Sequence, residues 1–325
     1  MRFLNFLSEL DETLINEIKI LNEYIESTIM DTPFINESCI PLIRGGKRLR
    51  PVLFIICAKA KNNYSIEKIL PLAAAIELIH TASLVHDDIL DQSKMRRGKA
   101  TANSKYGSQI AVLIGDYLFA KAFQLVSEGN YGDEVSLVLS KLVKNLCIGE
   151  ITQDLSMFKI PTMTEYYERI YLKTAAFFAS CCRLGGIVSK LEDKKIESLT
   201  MYGSSLGLAF QIIDDLLDFF GDPKVTGKAL GGDLKSGVIT LPVIRALNVS
   251  EKASLLNEIV TSGTLTDDKV IKSIDIIKDT DAAMYCKMRA NAHINAAQIS
   301  LMDLVDSSVN LILAKIADFV VDRTW

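Results

Sequence analysis

Residues 72–91 read LAAAIELIHTASLVHDDILD. From Leu72 to Val85 the only charge is Glu77, and apolar residues recur at three- and four-residue spacing, so the run reads as a helix facing a core. It ends on Asp87-Asp88-Ile89-Leu90-Asp91. Residues four apart share a helix face, which projects Asp87 and Asp91 together. The same pattern returns as Asp214-Asp215-Leu216-Leu217-Asp218, after the uncharged run Met201–Ile213. Carboxylates packed this closely on apolar helices repel, raise one another's pKa and cost stability unless a cation joins them. Hard oxygen donors select a hard divalent ion. Magnesium keeps several waters and takes one or two carboxylates plus phosphate oxygens, so two facing clusters suit a diphosphate held between them by metal. One such pentapeptide would read as a solvated helix end; two, each behind an apolar lead-in, do not.

The same periodicity extends outward over most of the chain. Candidate helices run over 3–30, 53–61, 71–91, 109–129, 133–158, 164–188, 195–220, 241–247 and 303–322, and no β-ribbon pattern is visible. Hydrophobic residues make up 49% of the 325 and there are only 7 prolines, which fits an all-α protein. Without a Ser/Pro-rich linker or low-complexity tract, a single domain over 1–325 is expected.

Thirty-six basic against 40 acidic residues leave a net charge of −4, which gives no electrostatic basis for binding nucleic acid. Six cysteines occur without a CxxC pair, and Cys181-Cys182 lies in an apolar helical run, which reads as buried thiols in a reducing cytoplasm. The N-terminus lacks a basic region followed by an apolar stretch, and no 18 uncharged apolar residues run together, so a soluble protein is expected.

The basic residues are grouped. Arg44-Gly45-Gly46-Lys47-Arg48-Leu49-Arg50-Pro51 sets four cations in seven residues beside two glycines that allow backbone amides near an anion, with a proline suited to the next helix start. A diphosphate would fit there. Arg96-Arg97-Gly98 adds guanidinium groups five residues beyond Asp91, and such groups bind phosphate bidentately. Gly221–Gly237, rich in glycine and lysine, reads as a cation-bearing lid that excludes water. His80 lies about two helical turns before Asp87 and should face the same side, whereas His86 reads as a hydrogen-bonded core residue.

Taken in order, these segments resemble the trans-isoprenyl diphosphate synthases, or polyprenyl synthetases, almost end to end. The matching motifs are Gly45–Pro51, Glu77–His86 leading into the first cluster, Arg96-Arg97-Gly98, Gly115–Leu118, Gly149-Glu150 to Gln153-Asp154, Lys173-Thr174-Ala175, Phe210-Gln211 before the second cluster, Gly232–Leu234 and Thr240-Leu241-Pro242. The resemblance implies an isoprenoid-synthase helical bundle around a deep central cavity. It implies an allylic diphosphate held by magnesium, three ions in all, through Asp87, Asp91 and Asp214, with Asp88, Asp215 and Asp218 supporting. Arg96, Lys173 and Lys228 would contact that diphosphate. Isopentenyl diphosphate would sit on Gly46, Lys47, Arg50, His80 and Arg97, with Phe210 and Gln211 nearby. Thr174 and Gln211, with Lys173 and Lys228, would be the catalytic side chains.

The activity implied is Mg-dependent condensation of an allylic diphosphate with isopentenyl diphosphate, repeated to a long all-trans product of hexa- to octaprenyl size, heptaprenyl favoured. Short-chain farnesyl-type members usually carry an aromatic residue one turn before the first cluster, where this chain has Ala82 and Ser83. Ile79 and Ile76 lie deeper on the helix, and Phe119 or Phe123 could form a floor. One position departs from the family pattern: Val238 stands where many homodimeric members have lysine before Thr-Leu-Pro. Second components of heteromeric heptaprenyl synthases share that loss, so the partner is either a second copy or a small helical regulatory subunit. The product would partition into a membrane, with the protein cytoplasmic or peripheral. The alternatives are a farnesyl or geranylgeranyl synthase; a terpene cyclase, disfavoured by Asp214–Asp218 and the basic loop; and a non-catalytic subunit, disfavoured by both intact clusters.

Overall fold

A computed structural model describes residues 2–61, 64–96, 98–223, 229–302 and 307–321. The first expected helix is two: α1 (Arg2–Leu10) and α2 (Glu12–Thr28) are divided by Asp11, which is extended at φ −155° and caps α2 by accepting the Thr13 amide at 2.9 Å. Thr32 and Pro33 then open an unforeseen helix, α3 (Pro33–Ile43), the threonine capping and the proline filling the first position where no donor is needed. The next, α4 (Leu49–Ala58), carries Pro51 in its first turn, and Pro51–Ala58 are all buried.

The helix of the opening stretch, α5 (Ile66–Leu90), starts before Pro71 rather than at it, and accepts an internal proline. Among the described residues a short antiparallel hairpin follows, β1 (Met95–Arg96) and β2 (Lys99–Ala100), pairing Met95 with Ala100 and Arg96 with Lys99. Two-residue strands are too short to leave an alternating pattern, which is why the sequence reading had no ribbon. After α6 (Ala102–Tyr106), α7 (Ser108–Glu128) packs along α5. The approach is close because Gly115 lies under the His86 ring, where a Cβ would fall 2.1 Å from Nε2.

Helices α8 (Asp133–Leu155) and α9 (Met163–Ile170) precede a π-helical turn, Tyr171–Ala175, and α10 (Ala176–Val188). Then come α11 (Asp193–Phe220), α12 (Gly232–Lys235), α13 (Leu241–Val249), α14 (Ala253–Val260), α15 (Asp267–Lys278), α16 (Ala282–Ser300) and α17 (Ser307–Val321). Four of these, the short α12 and the longer α14 to α16, were not anticipated. The buried stripe of α16 is Ala282, Cys286, Ala290, Ile294 and Ala297, mostly small residues whose periodicity is faint in sequence.

Backbone contacts group the chain into two compact units, neither continuous in sequence: residues 1–143, 181–196 and 306–312 form one, and 144–180, 197–305 and 313–325 the other. The core of the first is built on α4 and on Leu72–Ile79 of α5, all buried. In the second, α11 lies against the start of α10 because Gly207 carries no side chain; a Cβ there would be 2.5 Å from Ala175 Cα. By length and composition α5 and α7 could each cross a membrane, but the apolar window of α5 is 72% buried inside the fold, as a core helix would be.

Candidate active site

In the first unit, neighbouring aspartates at the end of α5 have different surroundings. Asp87 is half-buried and Asp91 exposed, whereas Asp88 is buried and accepts Arg96 Nε at 2.7 Å. Burial pushes the Asp88 carboxyl above its usual range despite the lowering effect of Arg96, and Asp91 adds to the rise. A helix turns about 100° per residue, so the face holding Asp87 and Asp91 cannot also hold Asp88. Asp88 instead anchors the β1–β2 hairpin, which brings Arg96 back to the cluster. The chain between them is fixed by Ser93 donating its amide to the Asp88 carbonyl at 2.9 Å.

The basic loop also divides. Arg44 turns outward and pairs bidentately with Glu26 at 2.8 and 2.7 Å. Arg48 turns inward, buried, and ion-pairs with Glu77. Of the four cations read as one patch, Lys47 is exposed and Arg50 half-buried, with Arg50 Nη1 3.1 Å from His80 Nε2. The structure thus joins Arg50 to His80. A cleft of about 130 Å³ opens nearby, lined by Gly45, Leu84, Asp88, Arg96 and Lys99 among others. Arg97 lies outside the described residues.

Along α5, Ser83 is half-buried and donates to the His80 carbonyl at 2.9 Å, on the side of His80 and Asp87. Ala82, Ile79 and Ile76 are fully buried. Ser83 shares the half-buried face of His80 and Asp87, whereas Ala82, like Ile79 and Ile76, is turned into the interior of the fold. His86 Nε2 donates to the Val112 carbonyl, 3.2 Å away, and its ring centroid is 5.8 Å from that of half-buried Phe119, so the histidine is hydrogen-bonded as expected but half-buried rather than in the core. Phe123 is also half-buried.

The second unit repeats the division of the aspartates. Asp214 is exposed; Asp215 is buried, with Tyr166 donating to Oδ2 and Gln211 Nε2 to Oδ1, both at 2.8 Å. Thr174 donates to Gln211 Oε1 at 2.7 Å, which completes a chain of four side chains. Burial lifts the Asp215 carboxyl to about 7, against the lowering influence of Gln211, Tyr166 and Arg169. Tyr166 carried no sequence signal, being 49 residues from its partner and part of an ordinary amphipathic turn. Asp218 accepts the amides of Gly232 at 3.0 Å and Asp233 at 3.1 Å, so its carboxylate caps α12. Asp233 was quoted in a motif without a role, and it brings a further carboxyl to the cluster. Burial and the charges of Asp218, Asp215 and Asp214 push that carboxyl well up.

Lys173 lies on the π-helical turn, a conformation frequent at functional sites, and its Nζ reaches Glu150 at 2.8 Å and Gln153 at 3.0 Å. Phe210 is half-buried with its ring centroid 5.1 Å from that of Phe178. Beyond the second cluster, the strand-like segment ending the glycine-rich stretch is pinned at two points. The Phe158 amide donates to the Gly237 carbonyl at 2.8 Å, and Arg169 Nη2 to the Ile239 carbonyl at 2.6 Å. Val238, half-buried, donates its amide to the Asp233 carbonyl. Lys228 and the rest of 224–228 lie outside the described residues.

Among the described residues no three His, Cys, Asp or Glu side chains come close enough to hold an ion by themselves. The outward donors, Asp87 with Asp91 in one unit and Asp214 in the other, are one or two carboxylates at a time. That suits magnesium, which fills its remaining positions with water and phosphate oxygen.

Residues 32–277 match the model of the polyprenyl synthetase family. The chain is 34% identical to heptaprenyl diphosphate synthase component 2 of Bacillus subtilis over 95% of its own length and 89% of that protein's. It is 37% identical to a short chain isoprenyl diphosphate synthase of Methanocaldococcus jannaschii over 84% and 82% of the two chains. Its fold matches the crystal structure of a polyprenyl synthase from Caulobacter crescentus complexed with calcium and isoprenyl diphosphate, with a TM-score of 0.90, 31% identity and 100% and 98% of the chains covered. This all-α chain belongs to the polyprenyl synthetase family, the trans-isoprenyl diphosphate synthases. It is a prenyltransferase that makes prenyl diphosphates.

Proposed function

We propose that the protein is a magnesium-dependent synthase that adds isopentenyl units repeatedly to an allylic diphosphate, giving a long all-trans product with heptaprenyl the favoured length. The observation that carries the metal reading is the division within each Asp-Asp-X-X-Asp. The buried middle carboxylates, Asp88 and Asp215, are tied to protein donors, and the flanking Asp87, Asp91 and Asp214 are the more accessible ligands. When bound there, magnesium would neutralise the charge that gathers on diphosphate as its bond to the allylic carbon breaks. Of the cations on this chain, Arg96 and Lys173, with Lys228, bind the same diphosphate; Lys47, Arg50, His80 and Arg97 bind isopentenyl diphosphate and orient it.

The allylic carbon–oxygen bond breaks with its electron pair leaving on diphosphate. The double bond of isopentenyl diphosphate then supplies the pair for the new carbon–carbon bond. A proton is lost to restore an allylic double bond, and the departed diphosphate is the nearest base. No enzyme nucleophile is required. Interactions that strengthen as charge separates lower the barrier more than they tighten substrate binding.

Ser83 supports a long product, since a small side chain on the face of His80 and Asp87 leaves the growing tail unobstructed. The Methanocaldococcus relative's name keeps a short-chain product as the second reading. For assembly we propose a second copy or a small helical subunit. The Bacillus relative is named as one component of its enzyme, and the exposed apolar residues Val112 and Leu113 of α7 suit an interface. The six free cysteines, five of them buried, suit a cytoplasmic location, peripheral to membrane when product is released. Incubating the pure protein with magnesium, isopentenyl diphosphate and allylic primers of increasing length, then sizing products by chromatography, tests the reading. Product formation undiminished by excess chelator would overturn the metal mechanism, and products of 20 carbons or fewer from every primer would overturn the long chain.

A further inference from the structure

Arg48 stands out within the basic loop. It adopts the left-handed conformation, φ 55° and ψ 25°, which side-chain-bearing residues seldom take, immediately before α4. Its side chain is buried, and all three guanidinium nitrogens are used within the protein. Nε donates to Asn22 Oδ1 at 2.8 Å, Nη1 pairs with Glu77, and Nη2 donates to the Ile43 carbonyl. The three acceptors belong to α2, α5 and the end of α3. Three of its five N–H donors are thus spent inside the fold on a side chain that is buried, although Arg48 lies between Lys47 and Arg50.

We propose that Arg48 is a positioning residue whose clamp onto Glu77, Asn22 and Ile43 fixes the turn that presents Lys47 and Arg50 to the isopentenyl diphosphate anion. The inference rests on the proposed binding of isopentenyl diphosphate by that loop. Glu77 is one helical turn before His80 on α5, and His80 itself meets Arg50. The loop is therefore tied to one helix at two successive turns, once through the buried Arg48 and once through the half-buried Arg50, while Lys47 beside them is exposed. Glycine would relieve the backbone at position 48, but it would remove all three anchors, so the strained backbone is retained by what the side chain holds.

A kinetic experiment on the full chain separates positioning from mere stability. The double variant Arg48→Met with Glu77→Met removes both buried charges together, which avoids stranding either one in the core. Asn22→Ala removes a single neutral acceptor. In both, KM for isopentenyl diphosphate should rise, by about tenfold or more in the double variant, the equivalent of one charge-assisted hydrogen bond. KM for the allylic substrate should stay within about twofold of the parent, since uniform loosening would raise both. A folded double variant with the parental KM for isopentenyl diphosphate, or equal rises for both substrates, would overturn the proposal. Should the double variant not fold, an unchanged KM in Asn22→Ala would do so. If the parent chain by itself forms no product from any primer, as a chain that needs a second subunit would not, the KM comparison gives way to binding. Calorimetric titration with inorganic diphosphate then still tests the clamp, because weaker binding by the variants than by the parent is required.

Discussion

Replacing Asp215 by asparagine should stabilise the metal-free protein, and the gain should grow with pH. The carboxyl is buried between Tyr166 and Gln211 and titrates at about 7, against an ordinary value of 3.8. A proton is thus held more tightly in the folded chain than in the unfolded one. Between about pH 4 and pH 7 the folded state binds more protons, so stability falls as pH rises through that window and levels off above it. The wild-type penalty is therefore on the order of 2 kcal/mol at pH 5 and roughly twice that at pH 8. Asparagine stays neutral and pays neither. It also brings an NH₂ that Gln211 cannot accept without turning, a cost of about 1 kcal/mol that is the same at both pH values. The variant's advantage should therefore increase by a few kcal/mol from pH 5 to pH 8. Urea unfolding in excess chelator, with unchanged m-values, measures it directly. An advantage that is flat with pH, or that shrinks at pH 8, would show that Asp215 ionises without penalty in the fold.

Asp87→Ala and Asp214→Ala should each abolish product formation while changing unfolding stability by no more than about 0.5 kcal/mol, because each removes a solvent-accessible carboxylate that repels its neighbours; a retained turnover within tenfold of the parent would contradict their role as ligands. Ser83→Phe should shorten the product, read by chromatography. Ala82→Phe should instead cost about 1 to 3 kcal/mol of stability by overpacking a fully buried site. Gly115→Ala should destabilise by a similar amount through its clash with His86, and His86→Ala in the same chain should recover most of the loss. Val238→Lys should raise the rate of the isolated chain by about ten- to a hundredfold if the missing cation acts only in the transition state. Robust long-chain synthesis by the unaltered homomer would instead argue that no cation is needed there.

The sequence by itself determined the helical class and the chemistry. Apolar spacing over long stretches such as Leu72–Val85 admits one regular structure, and two aspartate clusters behind such stretches imply a bound cation wherever the helices pack. The grouping of Arg50 with His80, 30 residues further on and in another helix, came from the family resemblance, since spacing alone does not join them. The sequence reading did not contain α14 to α16, whose buried faces are short or made of small residues, or the two-residue hairpin that returns Arg96 to Asp88. Pattern alone did not separate Asp87 from Asp88, Asp214 from Asp215 or Lys47 from Arg48, which only the family resemblance told apart, nor Ser83 from Ala82. Each of these pairs holds neighbours of the same or similar kind, and pattern assigns them alike. Tertiary structure distinguishes them because successive helix residues point about 100° apart, so the elements packed alongside decide which one is buried. Tyr166 and Asn22 were invisible for a related reason: their partners are 49 and 26 residues away, and only folding brings a hydroxyl to Asp215 and an amide to Arg48.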